Sequence, residues 1–211
     1  MSTRDDLLSR RDLLKTAAVA ALVRSVRIHA DGQNVRQTPD ATNVTAAEAE
    51  TLQAICARII PTDENGPGAT EARAWRYIDR ALGGFLAASR QAYTTGLADL
   101  DRRATDMRGL RFAALAAADQ DTLLHEIEAT PFFALVRTHT IQGTFCDPFY
   151  GGNENFVGWD LLGYPGVRTI VTPDEQKMGI TLKPNHKSAY DYAMFNKATA
   201  RRHDGHHGDE T

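Results

Sequence analysis

From Thr45 onward the chain reads in helical period. Thr45-Ala46-Ala47-Glu48 has the form of a capping box, in which a hydroxyl and a carboxylate serve the free amides of a first turn. Leu52, Ile55, Cys56, Ile59 and Ile60 then recur at steps of three and four, which predicts a helix with one apolar face. Pro61 ends it, and the stretch from Pro61 to Gly68 holds too many turn formers for regular structure. A second helix is expected after Thr70, with Trp75, Ile78 and Leu82 turned inward, stopping at Gly83-Gly84. A third, with Leu86, Tyr93, Leu97 and Leu100 apolar, runs to about Met107. A fourth starts at Asp119 and carries Leu123, Leu124 and Ile127, and Pro131 opens a fifth that ends before Cys146. No run of alternating β-branched residues interrupts these, so the predicted class is all-α, a small helical bundle.

From Asp147 to Gly166 the pattern changes. Five glycines and five aromatics fall within these residues. Glycine reaches backbone angles closed to other residues, and the rings need burial. The stretch is therefore expected to be an irregular loop that closes the bundle and is pinned by its aromatics. A short helix is expected to interrupt the loop around 155–161. Such a loop also suits docking onto another protein. Residues 167–211 turn polar, with Lys183, Lys187, Lys197, Arg201 and Arg202 interleaved with Tyr190, Tyr192, Met194 and Phe195. They are read as an extended C-terminal arm able to wrap a partner, followed by a disordered tail.

Composition adds limits. The 211 residues are 42% hydrophobic and 24% charged, with a formal net charge of -3, which fits a globular protein and excludes a nucleic-acid binder driven by bulk positive charge. The average conceals an asymmetry: residues 1–30 carry +3 and the remainder -6. The basic start contains Ser9-Arg10-Arg11-Asp12-Leu13-Leu14-Lys15 before the small apolar run Thr16 to Val23. Paired arginines ahead of a mildly apolar stretch are read as a twin-arginine export signal over 1–30, whose apolar run is too short to span a membrane. Residues 31–44 are read as a linker to the domain at 45–166. Cleavage near Ala30 is left open.

Candidate chemistry is sparse. No G-x-G-x-x-G, G-x-S-x-G, phosphate loop or C-x-x-C-H haem attachment is present in the sequence. His203, His206 and His207 are read as a solvated tail and His125, Glu126 and Glu128 as an exposed helix face. His139 is expected to be a satisfied core histidine rather than a base. Cys56 and Cys146 would be able to pair in an oxidising compartment, although a buried, unpaired role for each is preferred. No catalytic, cofactor-binding or metal-binding residue is assigned.

The residues Asp147, Pro148, Tyr150, Gly151, Gly152, Asn153, Gly158, Trp159, Leu162, Gly163, Tyr164, Pro165 and Gly166 closely resemble the D-P-x-Y-G-G-N…G-W…L-G-Y-P-G signature of the gluconate 2-dehydrogenase subunit 3 family. Ile59 to Asp63, the Gly66-Pro67-Gly68-Ala69 loop and the twin-arginine signal fit the same family. The resemblance implies a non-catalytic small subunit needed for maturation of a large subunit that holds FAD and the substrate pocket. It implies as partners that flavoprotein, the twin-arginine translocase and, in some complexes, a multihaem cytochrome c subunit. It also implies a periplasmic location, with membrane association through the partner subunits. Arg10 and Arg11 would direct export. Asp147, Tyr150, Gly151, Gly152, Asn153, Trp159, Tyr164 and Pro165 would form the docking loop, and Trp159→Ala and Tyr164→Ala are expected to lose partner assembly with a modest effect on helicity. A competing reading from another class is an independent exported enzyme or ligand-binding helical module, its pocket lying between helices and loop near His139 and Asp147.

Overall fold

The computed structural model describes residues 43–195. The export signal with Arg10 and Arg11, most of the linker, and the tail with Lys197, Arg201, Arg202, His203, His206 and His207 lie outside the described residues. Six α-helices form the regular structure of the described part, with no strand: α1 (Ala46–Ile59), α2 (Ala74–Leu82), α3 (Arg90–Arg108), α4 (Ala117–Glu126), α5 (Pro131–Phe145) and α6 (Val157–Leu162). The all-α class is therefore as expected.

The capping box at the start of α1 is formed. Thr45 Oγ1 accepts the Glu48 amide at 3.2 Å, and Glu48 Oε2 accepts the Thr45 amide at 2.8 Å. Leu52, Ile55 and Cys56 are buried on the face the periodicity marked. Val44, just ahead of the cap, already belongs to the core, and Asp79 of α2 accepts both the Asn43 and Val44 amides at 2.6 and 2.8 Å.

The second helix begins later than its sequence suggests, at Ala74. Glu71 turns its carboxylate back to the Gly68 amide at 2.8 Å and the Thr62 hydroxyl at 2.6 Å. Arg73 then adopts a left-handed backbone with φ of 50°, which no helix continues. Small residues let α2 lie close to α5: a Cβ on Gly143 would strike the Ala74 backbone, and Tyr77 donates to Gln142 Oε1 at 3.1 Å across the same contact.

Helix α3 buries Tyr93, Leu97, Leu100 and Ala104 and ends at Gly109, whose φ of 72° needs a glycine. Asp101 ties it to its neighbours, accepting from Thr51 Oγ1 at 3.0 Å, from Arg111 Nε at 3.0 Å and from the Phe112 amide at 3.1 Å. Helix α5 opens on Thr130, which accepts the Phe133 amide at 3.2 Å, followed by Pro131 at the first helical position. Its buried hydroxyls are satisfied within the helix, Thr140 donating to Val136 O and Thr144 to Thr140 O, each at 2.8 Å.

Glu48 also receives Arg90 at 2.9 Å, joining the first turn of α1 to the start of α3. Burial alone would raise the Glu48 pKa, but the hydrogen bonds from Arg90 and Thr45 outweigh it and hold the group at about 2, below its ordinary 4.5. The unfolded chain thus binds this proton more readily. The stabilisation is fully present above about pH 4.5 and is lost as pH falls toward 2. Melting temperatures of wild type and Glu48→Gln, taken from pH 6 down to pH 2, should converge across that window. A constant gap between them would refute the assignment.

Candidate partner-docking site

Cys146, the C-cap of α5, hands the chain to the loop at 147–166. Asp147 caps the short turn Pro148–Tyr150 by accepting the Phe149 amide at 2.9 Å. Gly151 follows with φ of 97°. Gly152 is buried against α5, where a Cβ would collide with the Gly143 carbonyl. Asn153 is fully buried with a left-handed backbone. Its amide donates to Gly143 O at 2.8 Å, its Nδ2 to Cys146 O at 2.8 Å, and its Oδ1 accepts the Gly158 amide at 2.7 Å. Asparagine suits this position because its short amide tolerates the left-handed region while bonding in both directions.

Trp159 is 5% exposed and donates its indole N–H to Phe145 O at 3.1 Å. Phe156 and Tyr164 pack on it with ring centroids 5.2 and 5.0 Å away. Tyr164, in contrast, is 42% exposed, and Leu162 is 45% exposed beside it. Phe145, Trp159, Leu162, Gly163, Tyr164 and Pro165, with Asp147 at the edge, line an open and largely apolar groove of about 630 Å³.

The expected docking residues therefore divide. Gly152, Asn153 and Trp159 are buried and set the shape of the loop. Tyr150, Tyr164 and Pro165 reach its surface, with Gly151 at the turn between the two groups. Asp147 does something the sequence did not indicate: it holds the arm. Its Oδ1 accepts the Ser188 hydroxyl at 2.6 Å and its Oδ2 the Ala189 amide at 2.7 Å. Tyr190 stacks on Phe149 at 3.7 Å and bonds Tyr150 through the two hydroxyls at 2.9 Å. His186 stacks on Phe156 at 5.1 Å and its Nε2 pairs with Asp160 at 2.7 Å. The described arm thus folds back onto the loop. Ser188-Ala189-Tyr190-Asp191, a second capping box, was the available sequence signal.

The pocket of the competing reading is not assembled in that form. His139 lies in the core, its Nδ1 2.9 Å from the Tyr93 hydroxyl, and it does not line the groove. Burial lowers its pKa, so it stays neutral at pH 7. Asp147 does line the groove, but both its oxygens are engaged by the arm and the Phe149 amide.

The cysteines are free. Cys56 Sγ lies 3.3 Å from Thr140 Oγ1, and Cys146 Sγ donates to Gly143 O at 3.6 Å. Burial pushes Cys56 up to about 12 and Cys146 to about 11, which keeps both as unreactive thiols. Among the described residues there is no group of three His, Cys, Asp or Glu placed to hold a metal ion, and no helix is long and apolar enough to cross a membrane.

Fold and loop together define a class: a small all-helical protein whose bundle is closed by an aromatic, glycine-rich loop that presents a groove. The model of the family described as gluconate 2-dehydrogenase subunit 3 matches residues 46–166, more than half of the chain, and the chain belongs to that family. The family is a subunit of a dehydrogenase complex, which implies a partner subunit. No curated protein and no solved structure matches the chain.

Proposed function

We propose that this chain is the non-catalytic small subunit of an FAD-dependent, gluconate 2-dehydrogenase-like oxidoreductase. It binds the flavoprotein large subunit, supports its maturation and stability, and carries it through the twin-arginine pathway to the periplasm. The observation that carries the reading is the family match, whose last residues, 147–166, build the groove. Support comes from Tyr150, Leu162 and Tyr164, each more than 40% exposed on a loop whose other rings are packed away.

In this reading FAD belongs to the large subunit. Gly151 faces Arg80 and Gly152 packs on the α5 backbone at Gly143, and among the described residues no strand leads into this pair as one does in a dinucleotide-binding turn. A haem c subunit, where the complex has one, would relay electrons to the membrane, and the membrane association of this chain would be through such partners.

Co-expression tests the reading. With the FAD-dependent large subunit encoded in the same genome, the two chains should co-purify as a yellow, substrate-oxidising complex. The small chain alone should be colourless and inactive. A large subunit that is equally soluble and active without this chain would overturn the proposal.

A further inference from the structure

Two of the loop's rings are covered by the arm. After Gly166 the chain runs out and returns to the loop at Asn185, which donates to Pro165 O and Val167 O at 2.9 and 3.0 Å. The next residues, 186–192, lie along the loop as a strap. His186 stacks on Phe156 and Tyr190 on Phe149, with ring centroids 5.1 and 3.7 Å apart. The strap is fastened by a clasp at Asp147, which accepts the Ser188 hydroxyl and the Ala189 amide, and by the pairing of His186 with Asp160. None of its side chains belongs to the hydrophobic cluster of the bundle, and Lys187 and Asp191 are exposed. Asn153 and Trp159, which hold the loop itself, are anchored on Gly143, Phe145 and Cys146, not on the strap. A segment held in this way opens at lower cost than the core it lies on.

The strap and the groove share parts. Asp147 both lines the groove and holds the strap. Trp159, a wall of the groove, carries Phe156 at 5.2 Å, and Phe156 in turn carries His186. A chain that continues from the groove over Phe156 takes the place of His186, and one that sets a donor on Asp147 competes with Ser188 and Ala189. We infer that residues 186–192 are a displaceable strap: in the free subunit they cover part of the docking face, and the flavoprotein large subunit displaces them as it fills the groove and extends over Phe156 and Phe149. The inference rests on the proposed function and adds how its site is gated. The occupant is the large subunit because the family is a subunit of a dehydrogenase complex. The family match also takes in the groove, Asp147 and both covered rings. Only the open form offers the whole face, so the apparent affinity scales with the fraction of the subunit that is open.

The test co-expresses a limiting amount of the large subunit with full-length wild type and full-length His186→Ala/Ser188→Ala, carrying different tags, and reads their ratio in the captured complex. Neither substituted residue lines the groove. In the free variant, amide exchange at Ala189 and Tyr190 should rise on the order of 10-fold, as for loss of a hydrogen bond to a charged group, while α1 to α5 are unchanged. The captured complex should then favour the variant, also on the order of 10-fold, because its strap is open more often. Equal capture would overturn the inference and leave the proposed function standing. So would capture that favours wild type, the result expected if the closed arm were itself part of the interface. Unchanged exchange at Ala189 and Tyr190 would overturn it as well, since these contacts would then not hold the strap. A wild type that fails to co-purify with the large subunit would instead overturn the proposed function, and the inference with it.

Discussion

Trp159→Ala should loosen the loop and arm by about 3–5 kcal/mol while leaving the five-helix core largely in place. The residue is 5% exposed, fills the space between Phe156 and Tyr164, and supplies the hydrogen bond to Phe145 O. Removing it opens a cavity and strands a buried carbonyl, two penalties that add. Trp159 is nevertheless absent from the main hydrophobic cluster, which is built from α1 to α5 and the segments joining them. The loss should therefore appear as sub-global opening. Amide exchange in α6 should rise by roughly two to three orders of magnitude, with new protease cuts after residue 147 and little change in helical circular dichroism. Tyr164→Ala removes a half-exposed ring and should change exchange far less, acting on partner binding instead. The two aromatics, both expected from the sequence to serve partner docking, are thus separated by burial. Identical exchange profiles for the two variants would refute that separation.

How much of this was legible before the structure depends on the range of the contacts. The helices were readable because an apolar face repeats within a few residues, and Thr45 with Glu48 marked the first start because both partners of that cap are three residues apart. The start of α2 was not readable, since it is decided by Glu71 spending its carboxylate on Gly68 and Thr62 and by the backbone of Arg73. Within the loop, the density of glycines and rings announced an irregular, ring-pinned structure. It did not say which ring faces out. Trp159 and Tyr164 differ in exposure because α6 turns one of them onto Phe145, a contact fourteen residues away. The clasp was harder still. Asp147 meets Ser188 across forty-one residues, and no local pattern links an aspartate that looks like a turn cap to a serine that looks like another.

The clasp also changes what an exported pair would require. The arm is held by the loop, the loop by α5, and Asp79 ties the entry to the domain at Asn43 and Val44. The twin-arginine route carries folded cargo, so a single signal can serve a partner bound to such a preassembled surface. Replacing Arg10 and Arg11 together by Lys should therefore retain both this chain and its flavoprotein inside the cell, with periplasmic dehydrogenase activity falling to background. Lysine keeps the positive charge but loses the planar, five-donor guanidinium fork, so the change isolates recognition from electrostatics. Arg24→Lys/Arg27→Lys, equally neutral in charge and outside the paired motif, should export normally. The measurement is the distribution of both subunits between periplasmic and cytoplasmic fractions, alongside affinity of the purified pair, which should be unaffected by either double substitution. Undiminished export of the Arg10→Lys/Arg11→Lys chain would remove the signal assignment, while retention of this chain with continued export of the flavoprotein would show that the partner travels by its own route.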